Sequence, residues 1–313
     1  MVLIGTERGG AIPLVPLTFH PSESSFNRAN ALYLAHASDV AYHRAPAAAA
    51  EERLGLKAIA FRNKITRTRG FLGVCDTHAV LAFRGTDPVT LPNWLTDMVV
   101  KLVQHGEYHG HVHHGFSSAL RRTWHKIEKI LEAAQGKPLF LTGHSMGGAL
   151  AVLTACRLEK LGRPATATYT FGSPRVGDVA FCAGYALPTY RIVNHLDIVP
   201  EMPLESMKRL LPEKPRFTNG KILNKLKKLA ERRPCYGHVN TFVYIDQDGE
   251  IMMDADVEPW HKHAVARAVA TRGKTFLEGI TDHLISNYIR GLEGQVTRRQ
   301  TGVRRTKNLD RSN

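Results

Sequence analysis

Gly143-His144-Ser145-Met146-Gly147 fits the pattern G-x-S-x-G, and its surroundings suggest what the serine could do. The apolar run 139–142 precedes it, and Gly148-Ala149-Leu150-Ala151 opens a small-residue helical pattern behind it. A serine hydroxyl is a poor nucleophile until a histidine accepts its proton. A sharp strand-to-helix turn would lift Ser145 above a sheet, and the flanking glycines would let strand and helix pass closely. The helix N-terminus would then face the anion that develops on an attacked carbonyl. The bland alternative, a glycine-rich loop ahead of an ordinary helix, does not account for the strand placed directly before the serine.

In a hydrolase of this kind the acid and the base follow the serine along the chain, in that order. Asp197 comes directly after the strand-like run 190–194, where loops leave the carboxyl ends of parallel strands. Asp178, in G-S-P-R-V-G-D, stands several loop residues from its strand and reads as a turn or helix cap. His238, His261, His263 and His283 remain as bases. His283 precedes the last helical pattern, whereas His238 leads into a strand. Spacing alone leaves the choice open.

The elements that must hold these residues alternate. Apolar runs at 79–83, 138–142, 168–171 and 190–194 read as buried strands, and 116–131 and 148–161 have helical length and spacing. Buried strands separated by helices of this size predict an α/β fold with a mostly parallel central sheet flanked by helices. Residues 241–253 read as a hairpin turning at 247–249, and 71–83 as a second. Ala45 to Glu52 reads as a loop running into a short helix. The expected organisation is an N-terminal extension (1–25), one catalytic domain (26–290) carrying a basic insertion (201–234), and a basic tail (291–313).

The formal net charge is +14. Residues 207–233 hold ten Lys/Arg against two Glu, and 294–313 hold six against one Asp, so these two segments carry 13 of the 14 charges. Neither interleaves aromatics with its cations, which argues against nucleic acid as a partner. In 221–233, Ile222, Leu223, Leu226, Leu229 and Ala230 share one helical face opposite Lys and Arg. That pattern suits an anionic membrane surface, and equally a helix packed on the body with a solvated basic face.

No apolar run reaches membrane-spanning length, and the N-terminus lacks a basic-then-apolar leader pattern, so a cytoplasmic protein, peripheral at a membrane at most, is expected. Cys75, Cys156, Cys182 and Cys235 are too scattered for a disulfide scaffold and read as free thiols. His105, His109, His111, His113 and His114 crowd one segment, but with no evident supporting shell no metal is expected there.

Taken together, the ordered motifs from about Phe26 to Ile289 resemble the class 3 lipases, the family of the fungal triacylglycerol lipases and their bacterial relatives. A-F-R-G-T-D (82–87) is similar to that family's oxyanion segment and N-W-L-T-D (93–97) to its lid exit. V-H-H-G-F (112–116), the elbow at 143–151, T-F-G-S-P-R-V-G-D (170–178) and R-I-V-N-H-L-D-I-V-P (191–200) match further segments in order. The resemblance implies an α/β-hydrolase fold and a Ser145–Asp197–His283 triad, and it makes His238 a non-catalytic position. It implies an oxyanion hole from Thr86 and the backbone N–H of Met146, and no cofactor. Leu91, Trp94 and Leu95 would form the apolar side of a cover over an acyl groove, with His144 also facing substrate. Triacylglycerol or a related acylglycerol is the substrate class implied. Phospholipase A1 and short-chain carboxylesterase are close alternatives, and a non-catalytic membrane-associated protein on the same scaffold is a distant one. The oligomeric state is left open.

Overall fold

The computed structural model describes residues 17–87, 90–91, 101–203, 236–253, 255, 257–271 and 279–294. Eight strands form the main sheet: β1 (Lys57–Arg62), β2 (Arg69–Val74), β3 (Ala79–Phe83), β6 (Leu139–His144), β7 (Ala167–Phe171), β9 (Thr189–Asn194), β11 (Thr241–Ile245) and β12 (Ile251–Met252). They lie in that order across the sheet. The pairings from β3 to β11 are parallel, and those at both edges are antiparallel. The parallel centre is buried on both faces, which explains the near-continuous apolar runs of its strands.

Alternation along each strand divides the core. Leu81 and Phe83 of β3, with Leu139 and Leu141 of β6, pack against helices α3 (His114–Leu131) and α4 (Met146–Lys160). Val80, Ala82 and Phe140 point the other way. They join Leu34, Tyr169, Phe171 and Tyr288 beneath α1 (Arg28–Val40), α2 (Pro46–Leu54) and α7 (Ile285–Glu293). Each fully buried Leu or Phe contributes about 1.5–3 kcal/mol of transfer free energy. The remaining helices are α5 (Val179–Ala183) and α6 (Val257–Thr271). A small antiparallel sheet joins β10 (Tyr236–Gly237), β8 (Gly177–Asp178), β5 (His111–His113) and β4 (Leu102–Gln104).

Several boundaries differ from the sequence reading. The packed body begins before residue 26: Leu17 and Phe19 pack on the core, and the Phe19 ring sits 4.8 Å from Phe140 and 4.2 Å from His78. The Ala-rich stretch is helical from Pro46, whose fixed φ suits the first turn. Both hairpins form, and the one at 241–253 closes through the N–H of Gly249 donating to the Asp246 carbonyl at 3.1 Å. The expected insertion (201–234) beyond residue 203, Trp94, Leu95, the tail from 295, Cys235 and the side chain of His263 lie outside the described residues.

Among the described residues no helix is long and apolar enough to cross a membrane. No group of three His, Cys, Asp or Glu is disposed to hold a metal ion there. The histidine-rich segment has structural roles instead. His113 caps α3 by accepting from the N–H of Gly115 (3.1 Å) and Phe116 (3.4 Å), and His111 Nδ1 lies 2.9 Å from Asp178 Oδ2.

Candidate active site

Ser145 sits where β6 becomes α4, with φ 56° and ψ −131°, in the positive-φ region costly for a side chain. The turn is held because the Ser145 N–H donates to the Phe171 carbonyl of β7 at 2.9 Å. Glycine is required on both sides of it. A Cβ on Gly143 would come within 2.3 Å of the Gly147 backbone, and one on Gly147 within 2.3 Å of the Phe83 carbonyl oxygen. The helix therefore starts in direct contact with β3, and the serine is lifted at the carboxyl end of the parallel strands.

Asp197 follows β9 and is fully buried. Its Oδ1 accepts from the Val199 N–H at 2.8 Å. Its Oδ2 lies 2.8 Å from His283 Nδ1 and accepts from the Tyr288 hydroxyl at 2.5 Å. A carboxylate on Nδ1 fixes the imidazole with Nε2 free to receive a proton. Ser145 Oγ and His283 Nε2 are both buried and find no hydrogen-bond partner among the described residues. Buried polar atoms are otherwise almost always paired, so two such orphans here suit groups that pair with a substrate.

The segment bearing the base is docked onto the loop bearing the acid. Asp282 Oδ2 accepts from the Leu196 N–H at 3.3 Å and lies 2.8 Å from His195 Nδ1, while Asn194 Nδ2 donates to the Asp282 carbonyl at 2.9 Å. Gly172, at φ 57°, lies against the pair, and a Cβ there would meet Asp197 Oδ2 at 2.5 Å and His283 Nδ1 at 2.8 Å.

His144 does not face substrate as expected. It is buried, with Nε2 2.6 Å from the His283 carbonyl oxygen and Nδ1 2.8 Å from the Tyr42 hydroxyl. A carbonyl only accepts, so Nε2 carries the proton and Tyr42 donates to Nδ1. Burial, then the field of His283, holds the His144 pKa well below the ordinary imidazole value, which keeps this single neutral form. The Tyr42 oxygen also lies 3.4 Å from the Thr86 carbonyl. One chain of contacts thus joins the 84–87 segment, the elbow and the base. Tyr42, Tyr288, Asn194 and Asp282 were not singled out from the sequence, although Asn194 lies within the 191–200 motif and Asp282 adjoins His283.

Thr86 Oγ1 is buried with no partner among the described residues, and Gly85 beside it is so close to Ser145 that an added Cβ would lie 2.9 Å from the serine Cβ. Met146, as the first residue of α4, has an N–H with no intrahelical acceptor. Gly85 in space and Met146 in the chain are thus immediate neighbours of Ser145. Leu91 is buried against Ile198, Val199 and Val265, beside the acid loop. Asp178 caps α5 by accepting from the Phe181 N–H at 2.8 Å. His261 lies 3.5 Å from Glu201, and His238 is set beside Arg191, Arg175 and the Pro200 backbone, so neither joins the Asp197 pair.

Residues 80–207 match the family described as lipase (class 3). The chain is 34% identical over 164 residues to a lipase of Rhizomucor miehei, covering 45% of this chain and 44% of that one. It is 35% identical over 152 residues to a secreted mono- and diacylglycerol lipase A of Penicillium cyclopium, covering 46% and 49%. The chain thus spans less than half the length of these relatives. The crystal structure of a lipase from Rhizopus microsporus var. chinensis superposes with a TM-score of 0.57 at 22% identity, covering 89% of this chain and 96% of that one. The fold is the α/β-hydrolase fold, and the matched segment, residues 80–207, is similar to the class 3 lipases.

Proposed function

From a class 3 lipase segment built on an α/β-hydrolase sheet, we propose that this chain is a serine hydrolase of lipid carboxylic esters, with acylglycerols as its substrate class. The observation that carries the reading is the buried Asp197–His283 pair, closed at 2.8 Å and set at the same sheet end as the positive-φ Ser145. His283 Nε2 takes the proton from Ser145 Oγ as that oxygen attacks the ester carbonyl carbon. The carbonyl oxygen, now an anion, is received by Thr86, through its N–H and hydroxyl, and by the N–H of Met146. Collapse breaks the bond to the alcohol, which leaves with the proton from His283. Water then repeats the sequence on the acyl-enzyme, with His283 again the base, and releases the acid. This chemistry calls for no cofactor.

A place on the family's bacterial branch belongs to the same proposal. So does a peripheral role at an anionic membrane, supported by the amphipathic basic pattern of 207–233.

The test compares wild type with Ser145→Ala on nitrophenyl esters from acetate to palmitate, with emulsified triacylglycerol and phospholipid alongside. Loss of hydrolysis in the variant is expected, with preference for longer acyl chains. Preference for acetate would turn the reading to a short-chain carboxylesterase, and preference for phospholipid to a phospholipase A1. No hydrolysis by wild type in the presence of lipid would leave a non-catalytic protein on this scaffold.

A further inference from the structure

The net charge assigned to two appendages conceals a third basic site within the folded body. From residue 53 to 75 the chain carries six Lys/Arg and no Asp or Glu. Four of these cations, Arg62, Lys64, Arg67 and Arg69, gather at the turn joining β1 to β2. Lys126 of α3 adds a fifth, since its Nζ donates to the Arg62 carbonyl at 2.8 Å. Among the described residues none of the five forms an ion pair with a carboxylate. Partial desolvation, then the charges of Arg62, Arg84 and Arg67, lowers the Arg69 pKa against the opposing pull of the Asp87 carboxylate.

At the apex stands Ile65, 78% exposed. The turn beneath it is rigid. Asn63 Oδ1 accepts from the N–H of Ile65 (2.9 Å) and of Thr66 (3.1 Å), and the Asn63 N–H donates to the Thr68 carbonyl at 2.8 Å. Asn63 Nδ2 then ties the turn to α3 through the Arg122 carbonyl at 2.7 Å. The isoleucine is thus presented to solvent by a closed hydrogen-bonded loop.

The position of the turn gives the patch its meaning. Arg62 pairs with Arg69, and the Arg84 N–H donates to the Arg69 carbonyl at 2.9 Å. The turn therefore leaves the sheet at the end where Arg84–Thr86 leave β3 and Ser145 leaves β6. Three strand spacings separate β1 from β6, roughly 15 Å.

We propose that the β1–β2 turn is a docking point for anionic lipid bilayers, with Ile65 inserting among the headgroups and Arg62, Lys64, Arg67, Arg69 and Lys126 meeting lipid phosphates around it. An apolar tip ringed by cations suits an interface that is anionic outside and apolar a few ångströms below. A nucleic-acid backbone offers nothing to the isoleucine. Docking here turns the end of the sheet that carries Ser145 toward the membrane; this orienting role, unlike the binding itself, rests on the ester-hydrolase reading.

The full chain is mixed with vesicles of phosphatidylglycerol and phosphatidylcholine (1:1) in physiological salt, and free and bound protein are separated by sedimentation. Each cation at such a surface is worth about fivefold in partitioning. The triple variant Arg62→Gln, Lys64→Gln, Arg67→Gln is expected to bind at least tenfold more weakly, with an unchanged melting temperature. Ile65→Trp should show blue-shifted emission, relative to wild type, that brominated acyl chains quench. Ser145→Ala should bind like wild type, so lost binding and lost turnover are read separately. Vesicle binding unaltered by the triple variant would overturn the proposal, as would added indole emission in Ile65→Trp that brominated chains leave unquenched. So would the absence of any binding to these vesicles. Loss of duplex DNA binding in the triple variant, with vesicle binding intact, would reassign the patch to nucleic acid.

Discussion

The Tyr288 hydroxyl donates to the same Asp197 oxygen that faces His283 Nδ1, so one carboxylate oxygen receives two partners, at 2.5 and 2.8 Å. Tyr288, a residue of α7, is itself fully buried in the core that α1 also covers. It holds the acid in place for the base without reaching the reacting atoms. Burial, then the Asp197 charge, pushes the phenol pKa well above its ordinary value, so it remains a donor throughout the working pH range.

Tyr288→Phe removes that donor and leaves the ring. A hydrogen bond to a charged group is worth about 1.5–3 kcal/mol, so turnover should fall about ten- to a hundredfold with KM little changed. Steady-state kinetics on a soluble nitrophenyl ester, beside a urea melt, checks this. Unaltered kcat would deny Tyr288 a positioning role.

Gly172→Ala places a methyl group 2.5 Å from Asp197 Oδ2 on backbone with φ 57°. The added carbon and the acid–base pair cannot share that space. Hydrolysis should drop by more than about a hundredfold while circular dichroism still reports a folded protein. Activity within tenfold of wild type would mean that the Asp197–His283 geometry is not the working one.

Thr86→Val keeps the shape of the side chain and removes its hydroxyl. If Thr86 Oγ1 receives the oxyanion, kcat should fall roughly 100- to 1,000-fold, and Thr86→Ser should recover most of it. An equal loss in both variants would point to disturbed packing instead.

His36, His78, His144 and His238 all have folded-state pKa values held below 6.5, chiefly by burial; for His78 the value is about 4. The unfolded chain takes up protons on these groups near pH 6.5 and the native state resists them. Stability is therefore full above that pH and declines as the pH falls from 6.5 toward 4. Melting temperatures across this range should trace the decline, and His78→Asn should make it shallower between pH 6.5 and 4.5. A slope unchanged in that variant would remove His78 from the account.

Arg175 Nη2 and Glu201 Oε2 lie 2.6 Å apart, each less than a tenth exposed, beneath the loops that follow β7 and β9. Glu201→Gln removes the carboxylate charge that lies 2.6 Å from this buried guanidinium. The expected destabilisation is about 3 kcal/mol, read by denaturant unfolding. A change below about 0.5 kcal/mol would show that the pair is not integral to the fold.

What the chain reveals by itself is whatever is local or periodic. Strands at 79–83 and 190–194 appear as apolar runs because a parallel sheet buries both faces of each strand. The elbow is legible because a positive-φ serine between a strand and a helix admits only glycine at its closest contacts, and that leaves a five-residue signature. Asp197 could be named because acids leave the sheet just after a strand end. His283 was not separable from His238 by spacing, and only the resemblance to the class 3 lipases favoured it.

Tertiary structure alone decided the groups that support these residues. The Tyr288–Asp197, Tyr42–His144 and His144–His283 contacts span 91, 102 and 139 positions, and no local pattern encodes such pairings. Composition likewise averaged away the cations around Ile65, because acidic residues elsewhere cancel them in the sum. Only the pairing of β1 with β2, and of β2 with β3, brings that turn to the end of the sheet where Ser145 stands. Local chemistry is written in sequence neighbours, whereas surroundings come from chain segments that meet only when the core closes.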